Sequence, residues 1–299
     1  MHDASDIWAI VLAAGDGARV RDLARADDGQ PAPKQFCRFG TDRTLLGRAL
    51  TRAANVATPE HVVVVVANAH RPWWEPELRG HPLAKAVAQP RNRGTAAGLL
   101  LPMFHVLALH PRPIVVVIPS DHVFDDEEAV AGAIREAVRA VRERPRSTVL
   151  LGMAPDGSEG QFGWIIPGSR PGSTSVPIRF FVEKPSPPLA ASLASRGGLR
   201  NSFLIVSTGE ALLGLYRKAR PALLAAFLRV AGSGPVPPDA LERIYDTIEE
   251  TDFSRDILER AIRDLEVVPV PECGWRDLGT PAALADWLFH QLEAANRVG

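Results

Sequence analysis

Ile7-Trp8-Ala9-Ile10-Val11-Leu12-Ala13-Ala14-Gly15-Asp16-Gly17-Ala18-Arg19 is the stretch from which the fold is read. Its first seven residues are apolar on both faces, as a strand covered by helices on each side must be. Asp3 and Asp6 precede it in place of a basic flank, so it reads as a first strand and not as a signal peptide. The glycines that follow let backbone N–H groups approach an anion at the strand's carboxyl end, where open α/β sheets place their ligands. A plain turn would also account for Gly15-Asp16-Gly17. The third glycine of a dinucleotide fingerprint and the G-x-x-x-x-G-K-[ST] of a P-loop are both missing.

Similar apolar runs recur at Val62–Ala67, Ala86–Gln89, Ile114–Pro119, Thr148–Gly152, Ile178–Glu183, Phe203–Ser207 and Leu265–Val270. Between them lie helix-patterned stretches at Leu45–Ala57, Thr95–Leu109, Glu127–Arg144, Pro188–Ser195, Glu210–Lys218, Ala222–Val230, Arg255–Arg263 and Ala282–Ala294. Thr44 and Ser254 are placed as helix N-caps. This alternation predicts an α/β fold on a mostly parallel, twisted sheet. Asp156–Gln161, Pro167–Pro177 and Gly232–Pro238 read as loops, and a smaller helical elaboration is expected from about Leu189 to Ala261. No solenoid or β-helix repeat is visible.

The 299 residues carry 34 Lys and Arg against 35 Asp and Glu, a net charge of −1. Such a balance argues against duplex nucleic acid or an anionic membrane as partner, since both need a concentrated basic face. Cys37 and Cys273 are too few for a disulfide framework or a Cys-based zinc site. Nothing approaches the roughly 18 consecutive apolar residues of a membrane span. A cytoplasmic protein is the expectation. Lys occurs only at positions 34, 85, 184 and 218, so 30 of the 34 cations are Arg and each Lys invites a reason.

Fixed cations beside a glycine loop are what a triphosphate requires, and Arg19 and Lys34 supply them. In Gln89-Pro90-Arg91-Asn92-Arg93-Gly94-Thr95, the Gln89 and Asn92 amides can read a base edge, while the helix start at Gly94 and Thr95 offers unpaired N–H groups. A capped helix start explains Thr95 but not the crowding of Gln89, Asn92 and Arg93. Pro119-Ser120-Asp121-His122 follows the most apolar strand, which aims Asp121 into the crevice, where a carboxylate is costly unless it meets a cation such as Mg2+. A turn-forming Asp is the competing reading there. It also competes at Asp277, in Gly274-Trp275-Arg276-Asp277-Leu278-Gly279. Glu183-Lys184-Pro185 spends a scarce lysine directly after a buried strand; a surface ion pair, worth little, is the alternative.

Taken in order, Leu12 to Arg19, Pro33-Lys34-Gln35-Phe36, Gln89-Pro90 through Thr95-Ala96, Pro119 to His122, Phe162-Gly163-Trp164-Ile165, Phe181 to Pro185, Asn201-Ser202, Ser254-Arg255-Asp256 with Glu259, and Trp275 to Gly279 form a set. The set resembles the sugar-1-phosphate nucleotidylyltransferases and, among them, is most similar to the mannose-1-phosphate guanylyltransferases. The resemblance covers nearly the whole chain. It implies a Rossmann-like three-layer nucleotidyltransferase core in a single domain over residues 1–299, with a sugar-phosphate-binding elaboration at about 153–270 before a C-terminal 271–299 segment.

Position by position, the resemblance implies that Ala13, Ala14, Gly15, Gly17, Arg19, Lys34, Gln89, Asn92, Gly94, Thr95 and Ser120 bind the nucleotide. Gly163, Glu183, Lys184 and Asn201 would bind the sugar phosphate, and Asp121 and Asp277 a Mg2+. Arg19, Lys34, Asp121, Lys184 and Asp277 form the implied catalytic set. The implied substrates are GTP and mannose 1-phosphate, with another nucleotide or a heptose or deoxyhexose 1-phosphate as alternatives. A homodimer is left open.

Three departures stand out. Ala18 replaces the family's usual Thr, the loop from Arg21 to Pro33 is longer than usual, and Arg200-Asn201-Ser202-Phe203 replaces Trp-Asn-Ser-Gly at the sugar pocket. No counterpart of the C-terminal isomerase extension of longer bifunctional relatives is expected. A non-catalytic binding homologue and a metal-dependent glycosyltransferase are the rival classes. Both aspartates argue against the first, and Asp121-His122-Val123 in place of an Asp-x-Asp argues against the second.

Overall fold

The run Ile7–Ala13 forms strand β1, buried along almost its whole length. The computed structural model describes residues 6–155, 161–230 and 237–298, with side chains as far as Glu293. After β1 come α1 (Leu45–Ala54), β2 (Val62–Ala67), α2 (Arg71–Arg79), β3 (Lys85–Gln89), α3 (Gly94–Leu109) and β4 (Ile114–Pro119). Next are β5 (His122–Val123), α4 (Glu127–Glu143), β6 (Thr148–Met153), β7 (Gly163–Pro167), β8 (Val176–Glu183), α5 (Pro187–Ala194) and β9 (Leu199–Thr208). Helices α6 (Gly209–Ala219), α7 (Pro221–Leu228), α8 (Pro238–Thr247) and the short α9 (Phe253–Asp256) lead to β10 (Leu265–Pro269), β11 (Arg276–Asp277) and α10 (Pro281–Val298).

The main sheet runs β3-β2-β1-β4-β9-β6-β10-β8-β7. Its first four strands are parallel, joined by crossovers long enough to return the chain in the same direction. The expected mostly parallel sheet stops there. Strand β9 lies antiparallel between β4 and β6, and β7 and β8 are antiparallel neighbours, so that only β6 and β10 pair in parallel in this half. The segment 168–175 between β7 and β8 is too short for a crossover and returns the chain antiparallel. Residues 153–270 thus contribute β9 and β10 to the interior of the sheet, with α6 and α7 over one face and α5 against Trp164 on the other.

Alternate residues point to opposite faces of a strand, and both faces are apolar. Val62, Val64 and Val66 enter the core covered by α1 and α4, whereas Val63 enters the core covered by α3, α6 and α7. The result is three layers. No helix among the described residues is long and apolar enough to cross a membrane.

Thr44 caps α1, its hydroxyl accepting from the Gly47 N–H at 2.9 Å. Ser254 is not the expected cap: it lies inside α9, which Asp252 caps by accepting from the Arg255 N–H at 2.9 Å. The helix expected over Arg255–Arg263 is the end of α9 followed by two 3-10 turns, Leu258–Arg260 and Ile262–Asp264. Helices α2 and α8 were not expected. Both open with proline in the first turn, which suits a helix start because that N–H has no intrahelical partner. Pro238, read as the end of a loop, is therefore a helix opening; residues 156–160 and 231–236 of the expected loops lie outside the described residues.

One ion pair, buried at its arginine and half-exposed at its glutamate, clamps α1 to α4. Arg52 donates to both carboxylate oxygens of Glu127, at 2.9 and 2.7 Å, and its guanidinium lies 4.4 Å from the Phe124 ring centre. Glu127→Ala would leave a buried charge without its carboxylate and is expected to cost about 3 kcal/mol, read as a lowered urea midpoint. An apolar pair, Arg52→Met with Glu127→Leu, should recover most of that loss; a midpoint unmoved by the single change would refute the clamp.

Candidate active site

The two-residue strands β5 and β11 pair antiparallel, with His122 opposite Asp277. The Leu278 N–H donates to the Asp121 carbonyl at 3.3 Å, and the Asp125 and Asp126 N–H groups donate to the Cys273 carbonyl at 2.9 and 3.1 Å. This small pairing brings two distant acids to one point: ligand atoms of Asp121, His122 and Asp277 lie within 4.8 Å of one another. The Lys34 ammonium sits beside them, 2.7 Å from Asp121 Oδ2 and 3.7 Å from Asp277 Oδ1, and donates to the Leu278 carbonyl at 3.2 Å.

Burial works against the Lys34 charge, but Asp121 and Asp277 outweigh it and hold its pKa above the ordinary lysine value. Burial likewise opposes ionisation of Asp121, yet Lys34 and His122 hold its carboxyl well below the usual range. For His122 burial wins over the two aspartates, lowering its pKa, so the imidazole is neutral at pH 7. Asp277 Oδ1 is buried without a hydrogen-bond partner. Two carboxylates aimed at one point, one with an unspent oxygen, fit Mg2+, which takes one or two protein carboxylates and fills its shell with water and phosphate oxygens.

The loop after β1 is shaped by Gln35, whose amide donates to the Ala13 and Gly15 carbonyls at 3.0 and 2.8 Å. Gly17 takes φ +59°, a left-handed conformation open to glycine without strain, and starts the 3-10 turn Ala18–Val20. The Arg19 guanidinium donates to Gln161 at 3.1 Å and rests against Gly279, where a Cβ would come within 2.9 Å of it. The Ser120 hydroxyl donates to the Leu12 carbonyl at 2.6 Å and ties the carboxyl ends of β1 and β4 together.

The crowded turn before α3 is accounted for by α8. Arg91 pairs with Glu242 and Asp246, Arg93 donates to the Tyr245 carbonyl at 2.7 Å, and the Tyr245 hydroxyl donates to Gln89 at 3.0 Å. Asn92 is engaged at both ends of its amide, donating to Asp16 at 3.1 Å and accepting from the Gly94 N–H at 2.9 Å. Thr95 serves less as a cap than as a tie, its hydroxyl accepting from the Phe253 N–H at 2.8 Å. Gly94 has φ +81° and a Cβ there would lie 2.3 Å from the Thr251 carbonyl, so only glycine fits.

At the other end of the cleft, the β7–β8 register sets Gly163 opposite Glu183. A Cβ on Gly163 would fall 2.5 Å from Glu183 Oε2 and 3.2 Å from Asn201 Cβ, so glycine makes room for both side chains. The Glu183 N–H donates to the Glu259 carboxylate at 2.6 Å. Lys184, with φ +48°, holds its ammonium 3.6 Å from Glu183 Oε1 and keeps more than half of its side chain exposed. Burial raises the Glu183 pKa to about 7; Asp252 and Glu259 add to the shift and Lys184 opposes it.

The pairing of β9 with β6 slips at Leu150/Gly152, beside Asn201. Phe203 has φ +58°, which explains why glycine is usual at this position; the Phe side chain is held edge-on to Phe253 at 5.9 Å. Arg200, the other departure, lies over Phe162 and Trp275 at 5.2 and 4.8 Å and donates to the Ala154 carbonyl at 2.7 Å.

These groups line one cleft of about 850 Å3. Ala14, Gly15, Gly17, Arg19, Lys34, Gln89, Asn92, Gly94, Thr95, Ser120, Asp121, Gly163, Glu183, Lys184, Asn201 and Asp277 all reach it. Ala13 does not: it is 1% exposed and offers its carbonyl to Gln35 instead. Residues to which the sequence assigned no role, Gln35 and Tyr245 above all, hold cleft-lining residues in place. Gln35 could have been suspected from its place beside Lys34, but Tyr245 has no local signal.

A family model described as nucleotidyl transferase matches residues 8–207. The chain belongs to the nucleotidyl transferase family. The xanthan biosynthesis protein XanB of Xanthomonas campestris pv. campestris (strain B100) is 30% identical over 290 residues, covering 94% of this chain and 59% of that protein. Mannose-1-phosphate guanylyltransferase 2 of Escherichia coli O157:H7 is 28% identical over 307 residues, covering 96% and 60%. This nucleotidyl transferase chain therefore spans about 60% of the length of these curated relatives. A crystal structure described as mannose-1-phosphate geranyltransferase from Thermus thermophilus matches it with a TM-score of 0.80 at 27% identity, over 92% of this chain and 76% of that one. Mannose-6-phosphate isomerase from Helicobacter pylori shares the fold, with a TM-score of 0.70 at 19% identity over 91% of this chain and 100% of that one.

Glu183 gives the site a pH signature of definite sign. Its folded pKa of about 7 lies above the ordinary 4.5, so its contribution to stability is fully present below about pH 4.5 and is lost as pH rises through about 7. The melting temperature of the wild type should fall relative to that of Glu183→Gln across that window and stay parallel to it above. Curves parallel throughout would show that Glu183 titrates normally.

Proposed function

We propose that this protein joins a nucleoside triphosphate to a sugar 1-phosphate, forming a nucleotide-sugar and releasing pyrophosphate. GTP and mannose 1-phosphate are the pair favoured by the relatives' names, and the product would be a GDP-mannose-type precursor for polysaccharide synthesis. The observation that carries this reading is the meeting of Asp121, Asp277 and Lys34 between a glycine loop and the Glu183–Lys184 corner of the same cleft. Residues before about 153 would hold the nucleotide, and those from about 153 to 270 the sugar phosphate.

In the reaction, an oxygen of the sugar phosphate attacks the α-phosphorus, a new P–O bond forms, and the bond to the bridging oxygen of the β-phosphate breaks as pyrophosphate leaves. A phosphate monoester has its second pKa near 6, so the nucleophile is already largely dianionic at pH 7. No protein base is needed, which suits a neutral His122. The task of the chain is to bring two polyanions together in line. Backbone N–H groups from Ala14 to Arg19, with the Arg19 and Lys34 cations, would take the triphosphate, and Gln89 would meet the base. Lys184 would hold the sugar phosphate, with Glu183 and Asn201 on its hydroxyls. Asp121 and Asp277 would hold Mg2+, which when bound neutralises phosphoryl charge. Both cysteines are free and buried, in keeping with a cytoplasmic setting.

Pyrophosphate release from a panel of four nucleotides and several hexose and heptose 1-phosphates tests the reaction; silence with every pair would leave a binding protein. Asp121→Asn and Asp277→Asn should each lower turnover by about 100-fold or more with little change in melting temperature. Turnover equal to the wild type would remove the metal assignment. Lys184→Ala should raise the Michaelis constant for the sugar phosphate and leave that for the nucleotide nearly unmoved.

A further inference from the structure

Gln89 ends β3, is only 4% exposed, and lines the nucleotide end of the cleft. Its carbonyl oxygen accepts the Tyr245 hydroxyl proton at 3.0 Å. The other acceptor in reach of that single proton, the Ala97 carbonyl, is 3.5 Å away, at the limit of a hydrogen bond. Reversing the Gln89 amide would send the Tyr245 proton to that poorer acceptor, so the observed orientation is the favoured one. The Gln89 amino group is then left without a hydrogen-bond partner among the described residues, next to Gly98, where a Cβ would lie 3.3 Å from it.

Tyr245 is itself fixed. Arg93 donates to its carbonyl, Arg91 pairs with acids on the same helix, and its ring meets Phe227 edge-on at 6.2 Å. Burial also keeps its hydroxyl a donor by pushing the pKa well above that of an ordinary tyrosine. Asn92, the other amide at this end, is already engaged by Asp16 and the Gly94 N–H. Gln89 therefore presents the uncommitted amide.

We propose that Tyr245 is a positioning residue that sets base preference: by turning the Gln89 amino group toward the cleft, it selects bases carrying an oxo group there over bases carrying an amino group. Guanine, hypoxanthine, uracil and thymine belong to the first class, adenine and cytosine to the second. An amino group facing the Gln89 amino group would leave two donors unpaired, a mismatch of the kind that hydrogen-bonding sites reject strongly. The inference rests on the nucleotide-binding reading above and narrows it to a base class.

Inosine and adenosine triphosphates differ on the base at the six-position, oxo against amino, and equilibrium dialysis of each without sugar phosphate measures preference apart from turnover. The wild type should bind inosine triphosphate about tenfold or more tighter. Tyr245→Phe keeps the ring and should shrink the ratio to about threefold or less, as should Gln89→Leu; adding Tyr245→Phe to Gln89→Leu should move the ratio no further. A ratio unchanged in Tyr245→Phe, effects of the two changes that multiply, or a wild type that prefers the adenine nucleotide would overturn the proposal while nucleotide binding stands. A wild type that binds neither nucleotide would remove the nucleotide-binding reading itself, and this inference with it.

Discussion

Two carboxylates pressed into one partly buried volume repel each other unless a cation lies between them, and Lys34 is that cation. The architecture around it serves to keep the three groups together. The β5–β11 pairing supplies the two acids, while Pro33-Lys34-Gln35 follows the long loop after β1 and supplies the ammonium. Gln35, next to Lys34, fastens the glycine loop at the same time, so the loop backbone and the charge cluster are positioned by adjacent residues. One ammonium against two carboxylates leaves residual negative charge, which suits a divalent ion and would be poorly suited to a naked phosphate.

The cleft joins two differently built halves. On one side, parallel strands β1, β3 and β4 end in loops whose glycines and amides face the opening, as is usual for the carboxyl edge of such a sheet. On the other, antiparallel strands β7, β8 and β9 supply Gly163, Glu183 and Asn201 from neighbouring positions on three strands. Lys184 and Phe203, both left-handed without being glycine, fall at this second end. Strain of that sort persists where surrounding structure holds it, and it gathers at binding sites.

Much of the candidate site was legible because the phosphate chemistry proposed for it demands particular residue types at strand ends. Glycines, scarce lysines and aspartates after apolar runs stand out in a chain whose cations are nearly all arginine. Thr44 at the start of α1 was legible for the same local reason. Less visible were residues that act through others. Tyr245 is on a helix opened by consecutive prolines that read as the end of a loop, and its importance comes from Gln89 far away in sequence. Ala13 illustrates the reverse: it belongs to the motif, yet its side chain is packed in the core and only its carbonyl serves the loop, through Gln35.

From the sequence alone came the α/β class, most strands and helices, and the acids and cations of the site, because these depend on apolar periodicity and on residue chemistry; the layered core and the kind of reaction came from the resemblance that the ordered motifs carry. Tertiary structure decided the antiparallel half of the sheet, the meeting of Asp121 with Asp277, the placing of Lys34 beside both, and the orientation of Gln89. Strand direction follows from where a connection returns, and carboxylate geometry from a two-residue pairing between distant segments. Neither leaves a mark in local sequence, since both are fixed by contacts that exist only when the chain is folded.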